Sequence, residues 1–248
     1  ELPRNKKQHT FFKKKKQPIF SKLEYNHYLM KNHLTAVIPV RKGSQRVKNK
    51  SFRKFNKKSL LEYHIEKLKK ITSIDEIVVN TDSAEAILLA KKMKVSYWKR
   101  EKYYASSSCT NSEFWKHIGE TTDSEFIMFT NCTNPLLKTS RYLEIIKKFK
   151  IVKNKFDSLN TVTPVKEFLC LDNKTINFKT NKAPNSQDLP NISKLNFAVN
   201  ILSRKTMIKK KSVLGSKPYF FEINQLEALD VDTKLDFQFA EFLHKKNN

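Results

Sequence analysis

From Leu34 to His244, short apolar runs alternate with segments whose apolar residues recur every three or four positions. Leu34–Val40, Glu76–Asn80, Val95–Trp98, Phe126–Thr130, Ser158–Val165 and Leu195–Leu202 read as strands. Ser59-Leu-Leu-Glu62 has capping-box spacing and opens a helix with Leu60, Leu61, Ile65 and Leu68 on one face. Asp82-Ser-Ala-Glu85 opens a second, turning Ile87, Leu88 and Ala90 toward the sheet. Thr110–Ile118 is a third, with Thr110 as cap and Glu113 three residues on. Thr139–Phe149 carries a stripe of Leu143, Ile146 and Phe149, and Asp232–His244 is the closing helix. Such alternation predicts an α/β fold: a mostly parallel sheet with helices on both faces. Residues 166–190 read as a polar excursion with short strands.

Composition narrows the functions open to this fold. No apolar run reaches the roughly 18 residues of a membrane span, so no membrane partner is expected. Cys109, Cys132 and Cys170 form no CxxC pair, which excludes a zinc ribbon and points to a reducing cytoplasm. The chain has only three glycines. A GxGxxG dinucleotide loop and a GxxxxGK[ST] phosphate loop are therefore both absent. The formal net charge is +25. Of 49 basic residues seven are arginine and the remaining 42 lysine. Base readers favour bidentate arginine, so the charge is ascribed to AT-rich coding and solvated faces rather than to nucleic-acid binding. The rival nucleic-acid reading predicts steeply salt-sensitive binding.

Residues 1–29 differ from the rest, with a run of four lysines at 13–16 and no alternating pattern. Met30 leads directly into the first strand. The expectation is that residues 1–29 are a basic, disordered or non-native extension and that residues 30–248 form a single domain. A basic tail is the alternative.

In open α/β sheets ligands sit beyond the carboxyl ends of the strands, so the chemistry is sought there. The first strand runs into Arg41-Lys42-Gly43-Ser44-Gln45-Arg46-Val47-Lys48-Asn49-Lys50. Cationic side chains crowd this loop around a glycine, which suits a polyphosphate. The second strand ends in Asn80-Thr81-Asp82, either sugar or base contacts or an N-cap. The third central strand ends in Asn131-Cys132-Thr133-Asn134-Pro135-Leu136, either ligand contacts or turn chemistry. Near the end comes Asp230-Val231-Asp232. In extended chain both carboxylates face one side, as a magnesium site requires, although Asp232 alone would also serve as a helix cap.

The order of these pieces resembles the acylneuraminate cytidylyltransferase family, which makes CMP-sialic acid and its relatives. The family's basic first motif, A-R-G-G-S-K-R-I-x-x-K-N, is similar to Val40–Ser51, and its S-T-D to Asn80-Thr81-Asp82. Its Q-P-T-S-P-L is similar to Asn131–Leu136 and its S-V-x-x-V-T-P to Ser158–Pro164. Its Q-D-L-P is found at Gln187–Pro190, its N-G-A corresponds to Asn196-Phe197-Ala198, and its closing D-I-D-T to Asp230–Thr233. The departures are Gln45, Ser51, Asn131, the Asn185-Ser186 pair where arginine is common, and Phe197 in place of glycine.

The resemblance implies a Rossmann-like nucleotide-diphospho-sugar transferase (GT-A-like) fold with a small dimerisation excursion over about 166–190. It implies a homodimer that uses CTP, Mg²⁺ and an eight- or nine-carbon keto-sugar acid (sialic, legionaminic, pseudaminic or Kdo-type). Arg41, Lys50 and Asp232 would be catalytic, and Asp230 and Asp232 would hold the metal. Arg41, Gly43, Ser44, Lys50, Asn80, Asp82 and Arg100 would bind nucleotide. Asn131, Thr133, Gln187, Asn196, Phe220 and Phe221 would bind the acid, with core packing the competing role for the two phenylalanines. A transferase for another sugar, or a relative that binds nucleotide without turnover, are the alternatives.

Overall fold

A computed structural model describes residues 32–43 and 49–246. The expectations for residues 1–29 and for Ser44 and Gln45 lie outside the described residues. The sheet strands are β1 (Leu34–Val40), β2 (Glu76–Thr81), β3 (Ser96–Lys99), β4 (Phe126–Thr130), β5 (Ser158–Val165), β6 (Ile192–Ser203) and β7 (Pro218–Glu222). Their order is β7-β5-β6-β4-β1-β2-β3. Only β6 runs against its neighbours, pairing antiparallel with both β4 and β5. The helices are α1 (Leu60–Lys69), α2 (Ala84–Lys92), α3 (Lys102–Ala105), α4 (Asn111–Thr121), α5 (Thr139–Val152), α6 (Arg204–Lys210) and α7 (Lys234–Lys246). None is long and apolar enough to cross a membrane, among the described residues.

Side chains alternate across a strand, and β1 shows the consequence. Ala36, Ile38 and Val40 join Leu61, Ile65, Ala86, Ala90, Tyr142 and Ile145 from α1, α2 and α5. Val37 points the other way, to Ile118 of α4 and Met207 of α6. The sheet is therefore covered on both faces, which is why its central strands read as continuous apolar runs. A third cluster holds Phe55, Leu60, Val231, Phe237 and Ala240, packing α7 against α1 and the Lys54–Ser59 hairpin.

Several local expectations need correction. Leu88 is 67% exposed, because α2 presents Ala86 and Ala90 to the core. Leu143 is likewise exposed; the buried stripe of α5 is Tyr142, Ile145, Ile146 and Phe149. Leu88 stands two residues from each of Ala86 and Ala90, about 160° round the helix from either, and Leu143 about 100° from Tyr142, so side-chain size rather than position pointed to both. The cap of α2 is Ser83, whose hydroxyl accepts from the Ala86 N–H, rather than Asp82. At α7 the cap is Thr233, whose hydroxyl accepts from the Asp236 N–H. Asp236 reciprocates, accepting from the N–H groups of Thr233 and Asp232. Serine and threonine one residue further on do the capping, so Asp82 and Asp232 keep their carboxylates for other partners.

Residues 166–190 hold a two-residue ladder, Cys170–Leu171 with Lys174–Thr175, and a 3₁₀ turn at Ser186–Asp188. Strand β7 and helix α6 were not expected from the sequence. Each is short, and β7 is an edge strand whose Phe220 is half exposed.

Candidate active site

The carboxyl ends of β1, β2, β3 and β4 share one edge of the sheet. The chain leaves β1 toward β2 on one side, while β4 lies on the other. That reversal is the switch point where mononucleotides bind in open sheets. Strand β6 continues beyond the end of β4, since Val199 pairs with Thr130 and residues 192–195 pair only with β5. Three adjoining clefts open along this edge.

The first, about 340 Å³, is lined by Arg41, Lys42, Gly43, Asn49, Lys50, Ser51, Asp82 and Ser83. Gly43 has φ +78°, a conformation costly for any residue with a Cβ. The Lys42 N–H donates to Asp82 Oδ1 at 2.7 Å, tying the basic loop to the end of β2. Ser51 is buried and meets Cys132 Sγ at 3.6 Å, so this departure serves packing beneath the loop.

The second cleft, about 430 Å³, is lined by Arg41, Arg100, Tyr104, Cys109, Phe114, Trp115, Asn131 and Phe197. Arg100 is nearly buried and fixed from behind. Its Nε donates to Asn80 Oδ1 at 2.7 Å and a terminal nitrogen donates to Asn80 O at 2.8 Å. Its guanidinium lies 4.2 Å from the Phe114 ring centroid. Burial lowers its pKa to about 10, which leaves it charged at neutral pH. Asn80 therefore orients a cation rather than facing the cleft itself.

The third cleft, about 630 Å³, is lined by Thr163, Glu167, Lys194, Asn196, Phe197, Asp230, Asp232 and Asp236. Val231 is fully buried in the α7 cluster while the flanking aspartates face this cleft. Lys50 Nζ donates to Asp232 Oδ1 at 2.9 Å, joining the first cleft to the third across 182 positions of sequence.

A brace holds these loops together. Asn134 is buried, and its Nδ2 donates to the carbonyls of Ala228 and Leu229. The Val231 N–H donates to Thr133 O at 2.8 Å. Behind this loop Lys67 Nζ donates to the carbonyls of Pro135 and Leu137 at 3.0 and 2.9 Å. Burial pulls the Lys67 pKa from the ordinary 10.5 to about 7, and a neutral amine has two N–H donors for two carbonyls. Between those two values the unfolded chain holds a proton that the folded chain has released, so stability rises with pH there. Lys67→Met should lose about 2–3 kcal/mol by leaving two carbonyls unpaired. The deficit should widen from pH 7 to 9, as read by urea titration at both pH values.

Of the expected residues, Arg41, Gly43, Lys50, Asp82, Arg100, Asn131, Asp230 and Asp232 meet at these clefts. Others do not face them. Thr133 is nearly buried beneath the Asp230 segment. Gln187 is exposed on the excursion. Phe221 packs on the main core and Phe220 stands on the sheet edge. The Asn196 amide is consumed within the strand pair, accepting from Thr161 and donating to Thr163. Residues missed in the sequence are Tyr104, Phe114, Trp115, Lys67 and Lys194. The aromatic density of 103–115 was the available signal.

A basic loop, a seated arginine and paired aspartates at the switch point of this sheet define a nucleotide-dependent transferase. The cytidylyltransferase family profile matches residues 35–247, and the chain belongs to that family. It is 27% identical to the post-translational flagellin modification protein B of Campylobacter coli, covering 88% of this chain and 97% of that one. It is 23% identical to an N-acylneuraminate cytidylyltransferase of Escherichia coli, covering 88% of this chain and 54% of that one. The fold is similar to a CMP:2-keto-3-deoxy-manno-octonic acid synthetase solved with CTP, at TM-score 0.66 and 10% identity, over 87% of this chain and all of that one.

Proposed function

We propose that the protein transfers CMP from CTP to the anomeric hydroxyl of an eight- or nine-carbon keto-sugar acid. The hydroxyl oxygen attacks the α-phosphorus, the bond to the β-phosphate oxygen breaks, pyrophosphate leaves, and the hydroxyl proton passes to solvent. The observation that carries this reading is the Lys50–Asp232 contact, which brings the basic loop and the aspartate pair to one point. The name of one relative, an N-acylneuraminate cytidylyltransferase, supports the acid as substrate class.

The residues have distinct tasks. Arg41 and Lys50 neutralise the triphosphate, with Gly43 letting the loop backbone approach it. Arg100, held by Asn80, and the aromatic walls of the second cleft take the cytidine. Asn131 lies between cytidine and acid, and the exposed cation of Lys194 meets the acid carboxylate in the third cleft.

Asp230 and Asp232 fit Mg²⁺ as a partial set. Among the described residues no cluster of three or more His, Cys, Asp or Glu could hold a metal. Two carboxylates with the remaining positions left to phosphate oxygens and water is a usual arrangement for this ion. The cationic Lys50 on Asp232 marks the same place as one that favours positive charge. When bound, Mg²⁺ would neutralise charge on the triphosphate. The same reading makes 166–190 a homodimer contact, where Phe168, Leu171 and Ile176 are exposed.

The test is pyrophosphate release from CTP, UTP, GTP and ATP with Mg²⁺ and a panel of keto-sugar acids. Release with CTP alone, dependent on one class of acid, is expected. Release from another nucleotide would overturn the assignment. Asp82→Ala should raise KM for CTP about tenfold with kcat within twofold, because the loop loses its tie at Lys42, roughly 1.4 kcal/mol. An unchanged KM would remove Asp82 from loop positioning.

A further inference from the structure

Phe197 stands at the junction of the second and third clefts and lines both. Its φ is +55°, in the left-handed region that a non-glycine residue occupies at a cost. The conformation is imposed by a bulge of β6, where residues 196–199 stand opposite Thr161 alone. The bulge is fastened on several sides. The Thr161 hydroxyl donates to Asn196 Oδ1, Asn196 Nδ2 to Thr163 Oγ1, and the Ala198 N–H to Asn196 Oδ1. Glycine would meet this backbone demand freely, yet the chain carries a phenylalanine. Its ring stacks on Trp115, with centroids 6.2 Å apart and planes 18° from parallel. The backbone cost is thus retained together with an aromatic side chain where nucleotide and acid must meet.

We propose that Phe197 is a specificity-determining residue of the acid subsite, selecting keto-sugar acids that present a methyl group, such as that of an N-acyl substituent, over acids that carry hydroxyls in its place. This rests on the cytidylyltransferase reading above. A ring at the junction offers no hydrogen-bond partner, so a substrate hydroxyl pressed against it loses water without compensation. A methyl group there gains contact instead. Leu195, Pro164 and Val165 extend the apolar wall into the third cleft, where Lys194 and Glu167 join the three aspartates as its charged groups.

The experiment compares kcat/KM at saturating CTP for an N-acylated nine-carbon acid and a hydroxyl-only eight-carbon acid. The protein is tested unaltered and as Phe197→Gly and Phe197→Asn. Asparagine tolerates left-handed backbone and presents a polar amide, so it keeps the bulge while changing the wall. The unaltered protein should favour the N-acylated acid. Both variants should reduce that preference at least about tenfold, a ratio that changes in KM for CTP leave untouched because CTP is saturating. Phe197→Ala should melt below Phe197→Gly, because alanine keeps the backbone cost without the ring. A preference that survives in Phe197→Asn, or a change confined to KM for CTP, would overturn the inference and leave the reaction standing. Absence of turnover with CTP and every acid in the unaltered protein would overturn the reaction, and the inference with it.

Discussion

Asp232→Asn should lower kcat by at least about 10³-fold, equivalent to about 4 kcal/mol of transition-state stabilisation. The substitution is nearly isosteric and removes one negative charge. That charge is the acceptor of the Lys50 hydrogen bond and half of the carboxylate pair on the third cleft. The fold around it should survive, because the anchor of the segment is Val231, fully buried between its two neighbours. The helix start should survive too, since Thr233 and Asp236 cap α7 without the Asp232 side chain. Melting temperature should therefore stay within a few degrees while turnover collapses, measured by pyrophosphate release with CTP, acid and Mg²⁺. Raising Mg²⁺ well above its ordinary level should recover part of the rate if Asp232 acts as a ligand. Full turnover at ordinary Mg²⁺ would remove Asp232 from the site.

The fold was legible in the sequence because its central strands are buried on both faces and so appear as uninterrupted apolar runs. What the pattern could not convey was which helix positions face inward. Leu88 and Leu143 are large, apolar and exposed, beside smaller or polar-tipped residues that do the packing. The ambiguity at Asp82 and Asp232 had the same origin. An aspartate before a helix is a competent cap, and nothing local says that the next serine or threonine takes that task. Only the tertiary structure, by placing Lys42 and Lys50 within reach, shows where those carboxylates go. Arg100 was legible as a cation, but its orientation by Asn80 and Phe114 depends on three separate elements converging. The brace from Lys67 through Asn134 was invisible because most of its acceptors are backbone carbonyls, which leave no mark in composition.

Lys50→Met should lower kcat about 100-fold, roughly 2.7 kcal/mol, with a smaller effect on KM for CTP. Methionine keeps the unbranched stem that lies in the first cleft and removes the ammonium. Lys50→Arg should recover only part of the loss, because the ammonium is a compact point charge and the guanidinium a planar fork that does not fit the same position. The informative measurement is the double variant, Lys50→Met with Asp232→Asn. Two independent contributions would multiply, giving a combined loss near 10⁵-fold. The 2.9 Å contact argues otherwise. Once Asp232 is neutral, Lys50 has lost the group that holds its ammonium in place, so removing that ammonium should cost little more. The double variant should fall within about tenfold of Asp232→Asn alone. A fully multiplicative loss would mean that the two side chains act on separate parts of the reaction and that their contact does not couple them.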